Sequence, residues 1–155
     1  MDVKPDNVFV GADGALKLGD FGLAVRSDGR SMAVREGDAR YMPSEALNGD
    51  LRALDRVDIF ALGISAYELA RGTPLPKSGT AYEMLRSGKF TLMPGFSLFM
   101  QNLWKALMHP DAAQRPSAAS LLRRLASKAA PSPPPAAAVP VTVTAPAHPG
   151  LPARG

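Results

Sequence analysis

Asp2-Val3-Lys4-Pro5-Asp6-Asn7, followed by Asp20-Phe21-Gly22, is the stretch on which the reading of the fold turns. Between these runs, Val8-Phe9-Val10 and Leu16-Lys17-Leu18 read as short strands, with Asp13-Gly14 as the turn that joins them. Closing that hairpin brings Asn7 and Asp20 to the same end of a tiny sheet. That is the geometry two ligands of one metal require.

The first run resembles the catalytic loop of protein kinases, and the second resembles their magnesium-binding motif. Phosphoryl transfer leaves a protein little covalent work, so catalysis rests on positioning and charge neutralisation. The resemblance makes Asp2 the base that orients a hydroxyl nucleophile and accepts its proton. It makes Lys4 the cation that offsets charge on the phosphoryl group of ATP, and Asn7 and Asp20 the ligands of Mg2+. Phe21 is expected beneath the metal site, and Gly22 is expected to permit the sharp turn that follows.

The resemblance continues downstream. Tyr41-Met42-Pro43-Ser44-Glu45 is similar to the family's Ala-Pro-Glu element, with Pro43 and Ser44 in place of its first two residues. Its glutamate implies a later arginine partner, and Arg115 in His109-Pro110-Asp111-Ala112-Ala113-Gln114-Arg115-Pro116 is suitable. Asp58-Ile59-Phe60-Ala61-Leu62-Gly63 resembles the start of the central buried helix, whose aspartate is implied to hold the catalytic-loop backbone.

Within the kinases, Lys17-Leu18-Gly19-Asp20-Phe21-Gly22 and Glu36-Gly37-Asp38-Ala39-Arg40-Tyr41-Met42 resemble the Wee family and its membrane-associated Myt branch. Leu75-Pro76, Ser78-Gly79 and Met93-Pro94-Gly95 carry the same likeness. Asp38 stands where most serine/threonine kinases have threonine, which is expected to place an extra anion near Lys4. Met1 stands where most kinases carry a phosphate-anchoring arginine, so activation through Ser27 or Ser31 is not implied. Lys4-Pro5 is the serine/threonine form of the loop. The Wee resemblance nevertheless implies that the substrate is a tyrosine of a cyclin-dependent kinase, and that the protein resides in the nucleus, with the cytoplasm as the alternative.

No G-x-G-x-x-G stands in the sequence, and no histidine precedes Asp2. In kinases a glycine-rich loop covers the phosphates, and a strand lysine paired with a helix glutamate holds the nucleotide. The expectation is a mainly α fold with a small β-hairpin: a kinase-like C-terminal lobe, truncated on its N-terminal side, from an α+β parent. Either Met1 is an internal methionine of a longer active kinase, or the chain is a catalytically incompetent fragment that serves as a protein-binding module. Alone, such a lobe is expected to be inactive and prone to aggregate, because its central helix lacks partners.

The partial kinase domain is expected over residues 1–128, with a disordered Pro/Ala-rich tail over 129–155. Pro131, Pro133, Pro134 and Pro135 could engage an SH3 or WW domain, though a passive tail is the plainer reading. Helices are expected at Arg56–Arg71, capped by Asp55 and Gly72; at Thr80–Ser87; at Leu98–Met108 with Leu103, Trp104 and Leu107 inward; and after Ser117 through Leu121, Leu122 and Leu125. The first is apolar on nearly all sides and is expected to be buried all round. Zero cysteines exclude disulfides and a thiol nucleophile, and His109 and His148 are too separated for a metal cluster. The net charge of +4 is scattered, with no aromatic-basic interleaving of the kind that binds single-stranded nucleic acid. No apolar run is long enough to span a bilayer.

Overall fold

Two short antiparallel strands and five helices make up the computed structural model, which describes residues 2–25 and 37–128. Ser27, Ser31, Met1 and the proline run at 131–135 therefore lie outside the described residues. Strand β1 (Val8–Val10) pairs with β2 (Leu16–Leu18) in the register Val8 to Leu18, Phe9 to Lys17 and Val10 to Leu16. The connecting turn is closed by Gly11 N–H to Ala15 O at 2.8 Å, and Gly14 takes a φ of 76° that favours glycine. The hairpin follows a short 3-10 turn at Pro5–Asn7, and Gly19 N–H bonds Asn7 O at 2.8 Å. Asn7 and Asp20 thus sit at one end of the sheet, as the strand reading requires.

Helices α1 (Ser44–Leu47), α2 (Leu54–Arg71), α3 (Thr80–Arg86), α4 (Leu98–Leu107) and α5 (Ala118–Ala126) form the remainder. The central α2 begins before Arg56, and its cap is Ala53 without a side-chain bond. Asp55 is instead a first-turn residue, paired with Arg56 at 3.4 Å, where its charge complements the helix dipole. Gly72 ends the helix at φ 69°, as expected. Burial of α2 is one-sided rather than complete. Phe60 and Ile64 are wholly buried, while Leu62 and Leu69 are exposed because no described element covers that flank.

The core lies between α2 and α4. Tyr67, Trp104, Phe90 and Phe96 meet edge to face, with ring centroids 5.1 to 5.8 Å apart. Trp104 is core, as its spacing predicts, and Leu107 is buried beside it. The helices approach closely at Gly63: a Cβ there would stand 2.6 Å from Leu107 Cβ and 3.0 Å from Met108 Cγ. Ser117 caps α5 by accepting from Ser120 N–H, as expected. Only Leu121 of its three leucines is buried, and Leu122 is 68% exposed. Helix α5 packs on a narrow seam, and apolar composition alone could not show which leucines face it.

The chain's distant parts are joined by Arg115, whose side chain is fully buried. Its Nη1 donates to Glu45 Oε1 at 2.5 Å and to Arg56 O at 3.1 Å; Nη2 donates to Glu45 Oε2 at 3.1 Å and to Pro110 O at 3.2 Å. Nε completes the set on His109 O at 2.7 Å. Every N–H of the guanidinium is used.

Two substitutions test this packing. Glu45→Gln leaves Arg115 buried without its counter-charge and is expected to cost about 3 kcal/mol or more. Gly63→Ala is expected to cost about 1–3 kcal/mol, because helix backbone must move to admit the methyl group. Urea unfolding of each variant measures both, and unchanged midpoints would contradict the assigned contacts.

Candidate active site

The short loop before the hairpin folds three of the expected site residues onto one carboxylate. Lys4 Nζ stands 2.7 Å from Asp2 Oδ2. Asn7, buried, gives its Nδ2 to Asp2 Oδ2 at 3.0 Å and to Asp2 O at 2.8 Å. Pro5 at the head of the 3-10 turn lacks an N–H that would otherwise go unpaired, which favours the turn at this point. A residue distant in sequence completes the set: Asp38 N–H donates to Asp2 Oδ1 at 3.3 Å.

Partial burial pushes the Asp2 carboxyl up, but Lys4, the Asp38 N–H and the Asn7 amide outweigh it and hold it below the usual carboxylate range. Asp2 is therefore ionised at neutral pH. The same bond to Asp2 raises the Lys4 ammonium, so the pair persists as an ion pair.

Asp20 does not join this cluster. It lies at the exit of β2, its Oδ1 accepts from Gly22 N–H at 3.2 Å, and it shares with Asp2 a cleft of about 270 Å³. Asp20, not Gly22, carries the positive φ of 55° that makes the turn. Phe21 is 68% exposed rather than packed beneath the site. The donor chemistry fits magnesium. Asn7 turns its NH2 to Asp2, which leaves its amide oxygen as the free end, and Asp20 offers an exposed carboxylate. Magnesium holds few protein ligands and completes its shell with water and phosphate. Among the described residues, no group of three or more His, Cys, Asp or Glu that could hold a metal is found.

Asp58 lines the same cleft, and burial pushes its carboxyl up. Its Oδ1 has no hydrogen-bond partner among the described residues. Among the described residues, the loop backbone is met there by Ser65, whose Oγ donates to Val3 O at 3.4 Å.

The segment facing Asp2 is a 3-10 turn at Ala39–Tyr41, headed by Asp38. Arg40 grips the Asp38 carboxylate through Nη2 at 2.6 Å and Nε at 3.0 Å. The extra anion expected near Lys4 is thus present but largely neutralised, and that bond to Arg40 holds the Asp38 carboxyl low. Tyr41 OH donates to Glu68 Oε2 at 2.6 Å, and Glu68 Oε1 accepts from Leu75 N–H at 2.9 Å. Burial and the Glu68 carboxylate together raise the Tyr41 phenol well above its ordinary value. Sequence reading assigned neither Arg40 nor Glu68 a role in this surround. Only the spacing of Asp38 and Arg40 offered a local signal.

The protein kinase domain family matches residues 1–125. The chain belongs to the protein kinase family. Within it, the chain groups with the Wee-like kinases. It is 53% identical over 123 residues to a Wee1-like protein kinase of Oryza sativa subsp. japonica, covering 79% of this chain and 23% of that protein. A Wee1-like protein kinase of Arabidopsis thaliana is 52% identical over 122 residues, covering 79% of this chain and 24% of its own length. A membrane-associated tyrosine- and threonine-specific cdc2-inhibitory kinase of Drosophila melanogaster is 42% identical over 126 residues, again 79% of this chain and 23% of that protein. The chain spans about a quarter of the length of these curated relatives. Among the described residues, no helix is long and apolar enough to cross a membrane.

The Asp2–Lys4 pair makes a titration prediction. Lys4→Met is expected to raise the Asp2 pKa, read by carboxyl-carbon NMR. Asp2's folded pKa is lowered, so its share of stability is present above the unfolded value near 3.9 and is lost as pH falls through the folded one. Lys4's is raised, so its share holds below the unfolded value near 10.4 and is lost as pH climbs through the folded one. The stability gap between wild type and variant is expected to be widest between these limits. A gap that grew on acidification would contradict the pairing.

Proposed function

We propose that this chain supplies the catalytic loop and magnesium motif of a protein kinase that transfers the γ-phosphate of ATP to a protein hydroxyl. The observation that carries the reading is the Asp2 carboxylate held by Lys4, Asn7 and Asp38 N–H beside the cleft that Asp20 borders. In this role Asp2 receives the acceptor hydroxyl and takes its proton, and its three supports fix the direction in which its oxygens point. Lys4 neutralises charge on the phosphoryl oxygens while staying within reach of Asp2. Asn7 and Asp20 would hold Mg2+, which when bound draws negative charge off the phosphates.

The acceptor we propose is a tyrosine of a cyclin-dependent kinase, with restraint of mitotic entry as the outcome and the nucleus as the place. What supports this finer reading is the Wee-like sequence of Lys17–Gly22 and Glu36–Met42, and the names of the relatives. The Lys4-Pro5 form of the loop would by itself have suggested serine or threonine.

In a full-length kinase carrying this segment, Asp2→Asn is expected to lower phosphoryl transfer by about 10²–10⁴-fold while leaving partner binding intact. Asp20→Asn is expected to raise the magnesium concentration needed for half-maximal rate. Phosphoamino-acid analysis of a cyclin-dependent kinase substrate decides the acceptor. Equal activity in Asp2→Asn would remove the base assignment, and label on serine alone would remove the tyrosine one.

A further inference from the structure

Helix α3 influences the site without touching Asp2. Arg86, its last residue, is 5% exposed, a burial that arginine rarely tolerates unless its donors are met. Its Nη2 donates to Ala39 O at 2.5 Å and to Arg40 O at 2.9 Å, and its Nη1 donates to Tyr82 O at 3.0 Å. The guanidinium lies over the Tyr82 ring, 3.4 Å from its centroid. The Tyr82 hydroxyl donates to the same Ala39 carbonyl at 3.1 Å. Among the described residues, no carboxylate forms an ion pair with Arg86. Its Nε is left without a partner. A buried full charge is thus devoted to the backbone of one short turn more than 40 residues away in sequence.

That turn is the one that meets the base. Asp38 N–H touches Asp2 Oδ1 at 3.3 Å, and Arg40 holds the Asp38 side chain. Fixing the carbonyls of Ala39 and Arg40 therefore fixes how the turn stands over Asp2. We propose that Arg86, stacked on Tyr82, is a positioning residue for the protein substrate, holding the Asp38–Tyr41 turn where it receives the acceptor hydroxyl beside Asp2. This rests on the phosphoryl-transfer reading and adds to it a determinant outside the catalytic loop. Arg86 does not line the cleft bounded by Asp2 and Asp20, so its loss is expected to change acceptor binding more than nucleotide binding. Lysine cannot replace it, because a point charge lacks the planar fork that spans two carbonyls and stacks on a ring.

The test compares Arg86→Gln, Arg86→Lys and Tyr82→Phe in a full-length kinase carrying this segment. Both Arg86 variants are expected to raise the KM for the protein acceptor about tenfold, with the KM for ATP within about twofold of wild type. Tyr82→Phe keeps the stack and loses one hydrogen bond, for an expected rise of about threefold. Hydrogen exchange reads the clamp directly: amides of Asp38–Met42 are expected to exchange about tenfold faster in Arg86→Gln, with those of α4 unchanged. An unchanged acceptor KM, or parallel changes in both KM values, would overturn the proposal. Should Arg86→Gln fail to fold, the other two variants carry the same comparison. A wild type that transfers no phosphate would remove the phosphoryl-transfer reading alone, and equal exchange at Asp38–Met42 would still overturn the clamp.

Discussion

The buried Arg115 guanidinium is the constraint from which the rest of the structure hangs. Taking an arginine out of water is costly, and here the cost is offset by a carboxylate and three backbone carbonyls from separate parts of the chain. Arg56 returns the contact by donating to Arg115 O at 2.8 Å. The consequence is positional: α1, the start of α2 and the segment after α4 cannot move independently. Because α1 directly follows the Asp38–Met42 turn, the arrangement that secures the core also fixes one end of the segment facing the site. The other supports of that turn, Glu68 from α2 and Arg86 from α3, act on a strand of chain already anchored.

Electrostatics within the site favour orientation over basicity. A carboxylate that accepts from an ammonium, an amide and a backbone N–H is a weaker proton acceptor than a free one. Such a group contributes by pointing a hydroxyl correctly and by accepting its proton late, when bond formation has already made that proton acidic. Lys4 couples the two ends of this process. While bonded to Asp2 it stabilises the ionised carboxylate, and in the proposed function any share of its charge taken by a phosphoryl oxygen would free Asp2 to accept more readily. On that proposal, one short ion pair would link arrival of the phosphoryl group to activation of the nucleophile.

Local signals made the hairpin and its consequences legible. Alternating apolar residues around Asp13-Gly14 specify two strands and a turn, and pairing alone then places Asn7 near Asp20. Helices were legible in place but not in exposure. Leu62, Leu69 and Leu122 are apolar and exposed, because composition reports what a residue tolerates rather than whether a neighbour stands opposite it. Asp55 looked like a cap, yet the helix begins two residues earlier than expected, at Leu54, with Ala53 at its cap. The Glu45–Arg115 pair came only through resemblance, since nothing local links residues so far apart. Arg86, Glu68 and Ser65 gave no signal at all: each meets the site through backbone carbonyls or a single hydroxyl, contacts that any sequence could make and only the folded chain can show.

Asp38 shows why identity and effect differ. As a bare substitution for threonine it adds a negative charge whose field reaches Lys4. Arg40 removes most of that effect by closing on the carboxylate through two nitrogens. What remains is geometric. The Asp38 side chain also accepts from Arg40 N–H at 3.0 Å, which tightens the turn and directs the Asp38 N–H at Asp2. The aspartate therefore shapes the surround of Asp2 through the backbone it stiffens. Its counter-charge, Arg40, is left at the mouth of the site with its guanidinium partly exposed, 5.3 Å over the Tyr41 ring. A substrate approaching Asp2 would meet a rigid turn with a neutralised ion pair on its face. Recognition at this point would then depend on shape and hydrogen bonds rather than on net charge, the property that the proposed clamp from α3 would preserve.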